Sequence, residues 1–293
     1  MYTSSSSVGT NGSAGSRSTL PGLPESLFVL ERPPAGGWGS QAGPVVVLVH
    51  GSLDRAGSFR RAARRLDDLG VVTYDRRGYQ RSRAGGVSDD FAVHVEDLVR
   101  IATACAEHHT AQPGVVAVGH SMGATIALGA AVDVPTLFSA VGAYEPTMPW
   151  IEPRRRGSFG TGPDHDVDPG LGAERFFRRI VGDVAWERLT EERRASLRAD
   201  GPALLADLRA LRQGAPFDVT TLAVPALVAS GGPASSRHHL ETADWLASRV
   251  PTAKRSTIAG AGHGAHLSHP EAFASFVREA AALGGGARTR DPD

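Results

Sequence analysis

Short apolar runs alternate along the chain with segments whose apolar residues recur at helical spacing. From about Leu27 onward the apolar runs predict strands over residues 44–51, 71–75, 114–121, 138–145, 225–231 and 253–260. The first run, PVVVLVHG, has no polar residue before His50, as expected for a strand buried on both faces. Helical spacing predicts helices over residues 58–70, 91–109, 122–132, 239–250 and 270–283. The alternation predicts an α/β fold with a mostly parallel, doubly wound sheet.

One part of the chain interrupts this alternation. Residues 146–215 contain no strand candidate and instead predict helices over residues 173–189, 190–200 and 202–213. We therefore predict a core formed by residues 21–145 and 216–283, with a helical cap inserted at residues 146–215. The Ser/Gly-rich residues 1–20 are expected to be a disordered tail, and residues 284–293 a flexible one.

Composition narrows the classes of function. The chain has 293 residues, and its 31 basic and 31 acidic side chains give a net charge of zero, which argues against electrostatic binding of nucleic acid. The single cysteine, Cys105, excludes a disulfide framework and a cysteine metal site. No apolar run approaches the ~20 residues of a membrane helix, and no secretion signal is recognisable. We expect a cytoplasmic protein that contacts neither membranes nor nucleic acids; the oligomeric state is left open.

The motif GHSMG, residues 119–123, is the sharpest chemical signal in the sequence. It follows the apolar run VVAV directly and precedes a predicted helix. A serine between these two elements sits on a strained turn that exposes its hydroxyl, and the helix N-terminus stabilises negative charge beside it. We therefore predict that Ser121 is a nucleophile.

A nucleophilic serine needs hydrogen-bond donors for the oxyanion that it creates. The backbone N–H of Met122 is one donor by position. The second is expected from the loop HGSLDR, with Ser52 N–H preferred and Leu53 N–H as the alternative. For His50, which begins that loop, we expect a structural hydrogen bond, and for His120 in the elbow we expect packing.

The general base is expected in GAGHGAHLSHP, residues 260–270. This loop follows the last predicted strand and therefore lies at the same sheet edge as Ser121, where catalytic groups gather. His263 comes first and is flanked by two glycines, so we predict that it is the base. His266 and His269 are expected to support it or to cap the following helix.

Together, HGS after a strand, DRRGYQRS, GHSMG and GAGHGAHLSHPEAF resemble the α/β-hydrolase superfamily over about residues 27–283. The resemblance implies the α/β-hydrolase fold and a Ser–acid–His triad in that chain order. It also implies an acid directly after the strand PALVASG. There the sequence reads VASGGPASSRHH, residues 228–239, and contains no carboxylate.

Glu145 is the predicted replacement acid, because it ends the preceding strand on the same edge of the sheet. Haloalkane dehalogenases within the superfamily have an acid at this strand, and a group of bacterial hydrolases has a similar YEP element. Several alternatives stay open. Glu145 could bind substrate or a cap arginine, Glu241 or Asp244 could reach back, Asp75 could serve, or Ser235 or Ser236 could orient His263 by a neutral hydrogen bond.

These residues predict a serine hydrolase that forms an acyl-enzyme on Ser121 and acts on a small, partly apolar ester, thioester or lactone. No cofactor and no metal is expected. Met148, Trp150 and Leu53 are predicted to line the substrate pocket. The cap residues Phe176, Phe177, Ile180, Val184 and Trp186 are expected mainly to pack in a core, and Arg154, Arg155 and Arg156 to form a solvated turn.

Two other classes of function remain open on the sequence. One is an enzyme of this fold that catalyses elimination or cyclisation. The other is a binding protein that retains the fold without catalysis.

Overall fold

The computed structural model describes residues 15–40, 43–109, 114–151 and 168–286. Within them eight strands form one sheet in the order β1-β2-β4-β3-β5-β6-β7-β8. The strands are β1 (Ser16–Arg17), β2 (Phe28–Arg32), β3 (Val45–Val49), β4 (Gly70–Asp75), β5 (Val115–His120), β6 (Phe138–Tyr144), β7 (Ala226–Gly231) and β8 (Ala253–Ile258). β1 and β2 are antiparallel to their neighbours, and the other strands are parallel. The predicted α/β fold with a mostly parallel sheet is confirmed.

Helices lie along the sheet and in one long insertion before β7. The first group is α1 (Arg60–Ala63), α2 (Phe91–His109), α3 (Met122–Asp133), α8 (Arg237–Arg249), α9 (Ala265–Ser268) and α10 (Pro270–Gly286). The insertion contributes α4 (Pro169–Val181), α5 (Asp183–Glu187), α6 (Glu191–Ala199) and α7 (Gly201–Arg212). Among the helices that the structure describes, none combines the length and the apolar character needed to cross a bilayer.

The sheet separates two hydrophobic cores. Val45 and Val47 of β3 pack in the core that includes α2, α3 and α8, whereas Val46 and Leu48 pack in the core that includes α1 and α10. All four are fully buried. Side chains of a strand alternate between its faces, so a strand covered on both sides must be apolar throughout. This explains the uninterrupted apolar run that predicts β3.

Several elements differ from their predicted bounds, and the helix predicted over residues 173–189 is divided at Gly182 into α4 and α5. The helix expected over residues 58–70 is reduced to α1, preceded by a 3-10 turn over Ala56–Phe59 and followed by further i to i+3 bonds. The apolar residues that suggested it are nevertheless buried, because the tighter turns still direct them to the sheet. Ser16 and Arg17 pair with β2, inside the stretch expected to be disordered. α10 continues to Gly286, three residues past its predicted end.

A buried ion pair joins the inserted helices to the sheet. Arg76, directly after β4, donates to Asp207 of α7 through Nη1 to Oδ2 at 3.1 Å and Nη2 to Oδ1 at 2.6 Å. Tyr79 and Ser52 also donate their hydroxyls to Asp207 Oδ2, each at 2.6 Å. Burial would raise the pKa of Asp207, but the charge of Arg76 outweighs it and lowers the pKa. The carboxylate therefore stays ionised and holds three segments together.

An apolar cluster supports the same junction. Leu53 and Tyr79 pack with Trp186 of α5, Leu197 of α6 and Leu204 of α7, and Phe176 and Phe177 pack partly against the cluster. Core packing is expected for most of the five cap residues, and three of them, Trp186, Phe176 and Phe177, pack in or against this cluster. Ile180 is 45% and Val184 65% exposed. The predicted triple arginine lies outside the described residues, and the predicted domain bounds stay a prediction.

Replacing Asp207 with Ala should lower the free energy of unfolding by about 3–5 kcal/mol, because Arg76 would remain buried without its counter-ion. Urea denaturation of the purified variant measures the loss. Asp89→Ala is the matched control, since it breaks the exposed pair that Arg209 of the same helix forms with Asp89 at 3.3 Å. Such surface pairs contribute about 0–1 kcal/mol. Equal losses in the two variants would contradict the role assigned to Asp207.

Candidate active site

Ser121 occupies the sharp turn between β5 and α3. Its φ is +56°, a left-handed conformation that non-glycine residues rarely adopt. The turn is possible because glycines surround it: a Cβ on Gly119 would lie 2.2 Å from the carbonyl oxygen of Gly123, and one on Gly123 would lie 2.2 Å from that of Val49. The structure thus gives the GHSMG motif the strand–turn–helix geometry that was predicted for it.

The Ser121 hydroxyl has a hydrogen-bond partner that the sequence analysis missed. Ser121 Oγ lies 3.1 Å from Thr147 Oγ1, and Thr125 Oγ1 donates to the carbonyl oxygen of Thr147 at 2.9 Å. Among the described residues no hydrogen bond joins Ser121 Oγ to an imidazole. Thr147 is therefore the side-chain partner of the Ser121 hydroxyl in this structure.

Glu145 lies at the carboxyl end of β6 and is completely buried. Its φ is +47°, so the chain turns sharply as the strand ends. Its Oε2 accepts a hydrogen bond from Nδ1 of His263 at 2.7 Å. Its Oε1 accepts from the backbone N–H of Gly231 at 2.9 Å and from the Ser235 hydroxyl. The predicted acid and base are thus in contact. Ser235, which lies in the loop after β7 that contains no carboxylate, supports the acid.

A further imidazole, that of His239, lies at the same carboxylate. His239 Nδ1 is 3.0 Å from Glu145 Oε2, and its ring stacks on that of His263 with centroids 4.4 Å apart and planes 4° from parallel. The sequence analysis did not select His239. Its position in the first turn of α8, just after the empty acid position, is the signal that could have identified it.

The charge states follow from these contacts. Burial would raise the pKa of Glu145, but the hydrogen bonds from His239 and His263 outweigh it and hold the pKa well below its usual range. Burial lowers the pKa of His263 below 6.5, although the hydrogen bond to Glu145 opposes the shift. At neutral pH the pair therefore consists of a carboxylate and a neutral imidazole. With Nδ1 donating to Glu145, Nε2 of His263 is the basic nitrogen.

The alternative acids have other partners. Asp75 accepts hydrogen bonds from Ala56 N at 2.8 Å and from Arg81 Nε at 2.7 Å, as expected for a residue that stabilises a turn. Asp244 is exposed and pairs with Arg255 at 2.9 Å, while Glu241 pairs with Arg237 at 2.6 Å. These carboxylates are thus bound to partners other than His263.

The predicted oxyanion donors lie beside the elbow. Met122 is the first residue of α3, and the first N–H groups of a helix have no partner within it. Ser52 lies in the loop after β3, which approaches the elbow closely: a Cβ on Gly51 would be 2.9 Å from Ser121 Cβ. The Ser52 hydroxyl is bound to Asp207, which fixes the loop, and Leu53 has a φ of +53°. The oxyanion roles of Ser52 and Met122 stay predictions.

The other histidines near the site form hydrogen bonds within the protein or are buried in it. His50 Nε2 accepts from Arg76 N at 2.8 Å, so its Nδ1 donates to the carbonyl of Gly51 at 2.7 Å. His266 Nε2 lies 3.1 Å from Asp54 Oδ2. His120 is buried, and burial, together with nearby His266 and His263, lowers its pKa well below 6.5. The environments of His50 and His120 agree with the packing and hydrogen-bonding roles expected for them.

Comparison with known proteins agrees with this geometry. Residues 46–276 match the sequence profile of the α/β hydrolase family. The chain belongs to this family. It is 31% identical over 107 residues to a monoglyceride lipase homolog of Monkeypox virus, and 35% identical over 100 residues to a monoacylglycerol lipase of Mycolicibacterium smegmatis.

These curated relatives match only in part. The first alignment covers 36% of this chain and the second 33%, and the chain spans 38% and 35% of the relatives' own lengths. Similarity of fold extends further. A solved serine hydrolase involved in carbazole degradation aligns over 88% of this chain and 95% of its own, with a TM-score of 0.63 and 19% identity. At that identity the likeness shows the α/β hydrolase fold alone.

Two groups of side chains in the described residues bring metal-ligand atoms within 4.8 Å of one another. In the first, Glu145, His239 and His263, the two imidazole planes are stacked and almost parallel, so one ion could not lie in both planes. In the second, a hydrogen bond already links His266 to Asp54, with His120 Nδ1 4.0 Å from the same oxygen. Hydrogen bonding accounts for both groups in this α/β hydrolase.

The three residues predicted to line the substrate pocket lie in three different environments. Met148 is fully buried and packs in the core that includes α3. Trp150 is half-buried and borders a surface groove with Phe217 and Trp245. Leu53 packs against the inserted helices. The assignment of these three residues to a substrate pocket stays a prediction.

Proposed function

We propose that this α/β hydrolase is a serine hydrolase that cleaves an ester, thioester or lactone of a small, partly apolar substrate. The observation that supports this most directly is the 2.7 Å hydrogen bond between Glu145 Oε2 and His263 Nδ1, at the edge of the sheet where Ser121 begins α3. A carboxylate bound to Nδ1 of an imidazole makes Nε2 a base for a neighbouring hydroxyl. The sequence order Ser121–Glu145–His263 is the order of the family.

In the proposed reaction His263 Nε2 accepts the proton of the Ser121 hydroxyl as Oγ attacks the substrate carbonyl. The oxyanion is bound by the N–H groups of Met122 and Ser52. His263 then gives its proton to the leaving group, and the acyl group remains on Ser121. Water, deprotonated by the same imidazole, attacks the acyl-enzyme and releases the acid.

The charge on Glu145 is what makes this cycle efficient. Each time His263 takes up a proton it becomes an imidazolium, and the buried carboxylate stabilises it at 2.7 Å. In a low-dielectric site such a pair interacts more strongly than it would in water. The hydrogen bonds from Gly231 and Ser235 keep the carboxylate in place throughout.

A fluorophosphonate probe tests the proposal directly. We expect one phosphonyl group to add to the protein and to be located on Ser121, because an activated serine in an oxyanion hole reacts with such probes. Intact-mass measurement and peptide mapping detect the adduct, and Ser121→Ala is the control. A folded protein that remains unlabelled would favour a binding protein of this fold. Esters of increasing chain length and coenzyme A thioesters would then define the substrate class.

Glu145→Gln should reduce kcat for a cleaved ester on the order of 10⁴-fold, since the amide neither fixes the tautomer of His263 nor stabilises its charged form. Initial rates measured with an activated ester are sufficient. Asp244→Asn is the control: this exposed carboxylate pairs with Arg255, and its loss should leave the rate unchanged. Near-normal turnover in Glu145→Gln would remove Glu145 from the mechanism.

The pH dependence of kcat/KM should report His263. The base works only when neutral, so activity should be lost as the pH falls through the pKa of His263, which burial places below 6.5. The carboxyl of Glu145, whose pKa is held well below its usual range, should remain ionised through this transition. A pH series at constant ionic strength measures the midpoint. A midpoint above 6.5 would contradict the assignment.

A further inference from the structure

One carboxylate oxygen of the site faces two imidazoles. Glu145 Oε2 lies 2.7 Å from Nδ1 of His263 and 3.0 Å from Nδ1 of His239. The two rings are stacked in parallel with their centroids 4.4 Å apart. His263 needs only its own contact with Glu145 to act as the base. The contact between His239 and Glu145 therefore needs a separate explanation.

His239 is held in place by the segment that leads into α8. Ser236 caps this helix by accepting from His239 N, and Ser236 Oγ lies 2.9 Å from His239 Nδ1. Its neighbour Ser235 donates to Oε1 of the same carboxylate. Only 14% of the His239 side chain is exposed. The hydrogen bonds of the helix cap and the contact with the Glu145 carboxylate together hold the His239 ring in one position.

The contact with Glu145 also defines the tautomer of His239. An ionised carboxylate only accepts hydrogen bonds, so a bare Nδ1 facing it at 3.0 Å would be repelled. Nδ1 of His239 is therefore assigned a hydrogen, and it lies 3.0 Å from Oε2 and 2.9 Å from Ser236 Oγ. That carboxylate oxygen then faces two N–H groups, one from each ring, of which His263 Nδ1–H is its hydrogen-bond donor.

Two consequences follow for His263. The N–H of His239, 3.0 Å from the Glu145 carboxylate, directs a positive partial charge at it and so weakens its hold on the imidazolium that His263 becomes during catalysis. A positive charge on His239 would also lie against the stacked ring, where like charges disfavour one another.

Other titratable groups surround the pair without sharing its carboxylate oxygen. From the elbow, the His120 ring lies 4.6 Å from that of His263, and His266 lies 4.5 Å from His120. From β8, Arg255 donates to Ser230 beside β7. The remaining ones are Asp54 at His266, Tyr144 before Glu145, and Arg237, His238, Glu241 and Asp244 on α8 itself. A substitution of His239 leaves all of these in place.

We propose that His239 is a positioning residue that keeps His263 neutral by sharing the Glu145 carboxylate and stacking on the base. The catalytic consequence rests on the proposed hydrolase function, whereas the effect on the proton affinity of His263 does not. Burial lowers the pKa of His263, the hydrogen bond that His263 donates to Glu145 opposes this, and the charge of His239 lowers the pKa further.

Histidine-resolved NMR titration tests the proposal without any substrate. In His239→Phe the stacked ring is kept, while the second N–H and its charge are removed, so the titration midpoint of His263 should move to higher pH. His263→Gln assigns the resonance. His238→Phe, at the neighbouring position on α8, is the matched control and should leave the midpoint unchanged. An unchanged midpoint in folded His239→Phe overturns the proposal.

A second variant guards against a failure to fold. His239→Asn cannot take up a proton and should move the midpoint of His263 in the same direction; an unchanged midpoint there also overturns the proposal. In the pH profile of kcat/KM, the midpoint of the acid limb should shift as the NMR midpoint does. The value of kcat/KM on the alkaline plateau should change less. A uniform loss across the whole pH range, with no shift of the limb, would indicate a merely structural role.

The two proposals can fail separately. A protein that is not labelled by the phosphonate, but whose His263 midpoint shifts in His239→Phe, loses the proposed function and keeps the inference. A protein that is labelled and hydrolyses esters, but whose midpoint and acid limb stay fixed in both His239 variants, keeps the function and loses the inference.

Discussion

The site depends on one buried negative charge. The Glu145 carboxylate receives hydrogen bonds from Gly231, Ser235 and His263, and His239 Nδ1 lies 3.0 Å from it, so it ties the end of β6 to the end of β7, the start of α8 and the loop after β8. A carboxylate buried without such partners would be strongly destabilising. Folding of three separate segments is therefore linked to the geometry of the base, because each segment supplies a donor that the charge requires.

The same edge of the sheet concentrates backbone strain. Leu53, Ser121 and Glu145 follow the neighbouring strands β3, β5 and β6, and their φ values are +53°, +56° and +47°. Each such conformation costs on the order of 1–3 kcal/mol and persists only where the surroundings impose it. Here the surroundings are the glycine contacts of the elbow, the carboxylate network and the Asp207 ion pair. Three left-handed turns after adjacent strands place Leu53, Ser121 and Glu145 at the same edge of the sheet.

Sequence patterns predicted the parts of this arrangement that depend on local chemistry. The apolar run before Ser121 and the helix after it are properties of neighbouring residues, and the structure shows both. The contacts of Asp207 and His239, in contrast, join residues that are far apart in the sequence. Asp207 meets Ser52 across 155 positions, and His239 meets Glu145 from the helix that follows the next strand, β7, so neither contact is visible as a periodic pattern. Likewise, the apolar residues over 58–70 are buried as their spacing predicts, although only four residues of this stretch are α-helical. Burial determines which way a side chain faces more strongly than it determines the type of turn.

The empty acid position after β7 is explained by the spacing of the sheet. β6 and β7 are adjacent and parallel, with Tyr144 opposite Ala229, so an acid at the end of β6 starts about 4.8 Å to one side of an acid after β7. Glutamate is one methylene longer than aspartate, and the left-handed turn at Glu145 directs its side chain across that gap. The end of β7 and the loop after it contribute the N–H of Gly231 and the hydroxyl of Ser235 as donors instead of a carboxylate. A carboxylate that starts from β6 therefore still reaches His263 in the loop after β8.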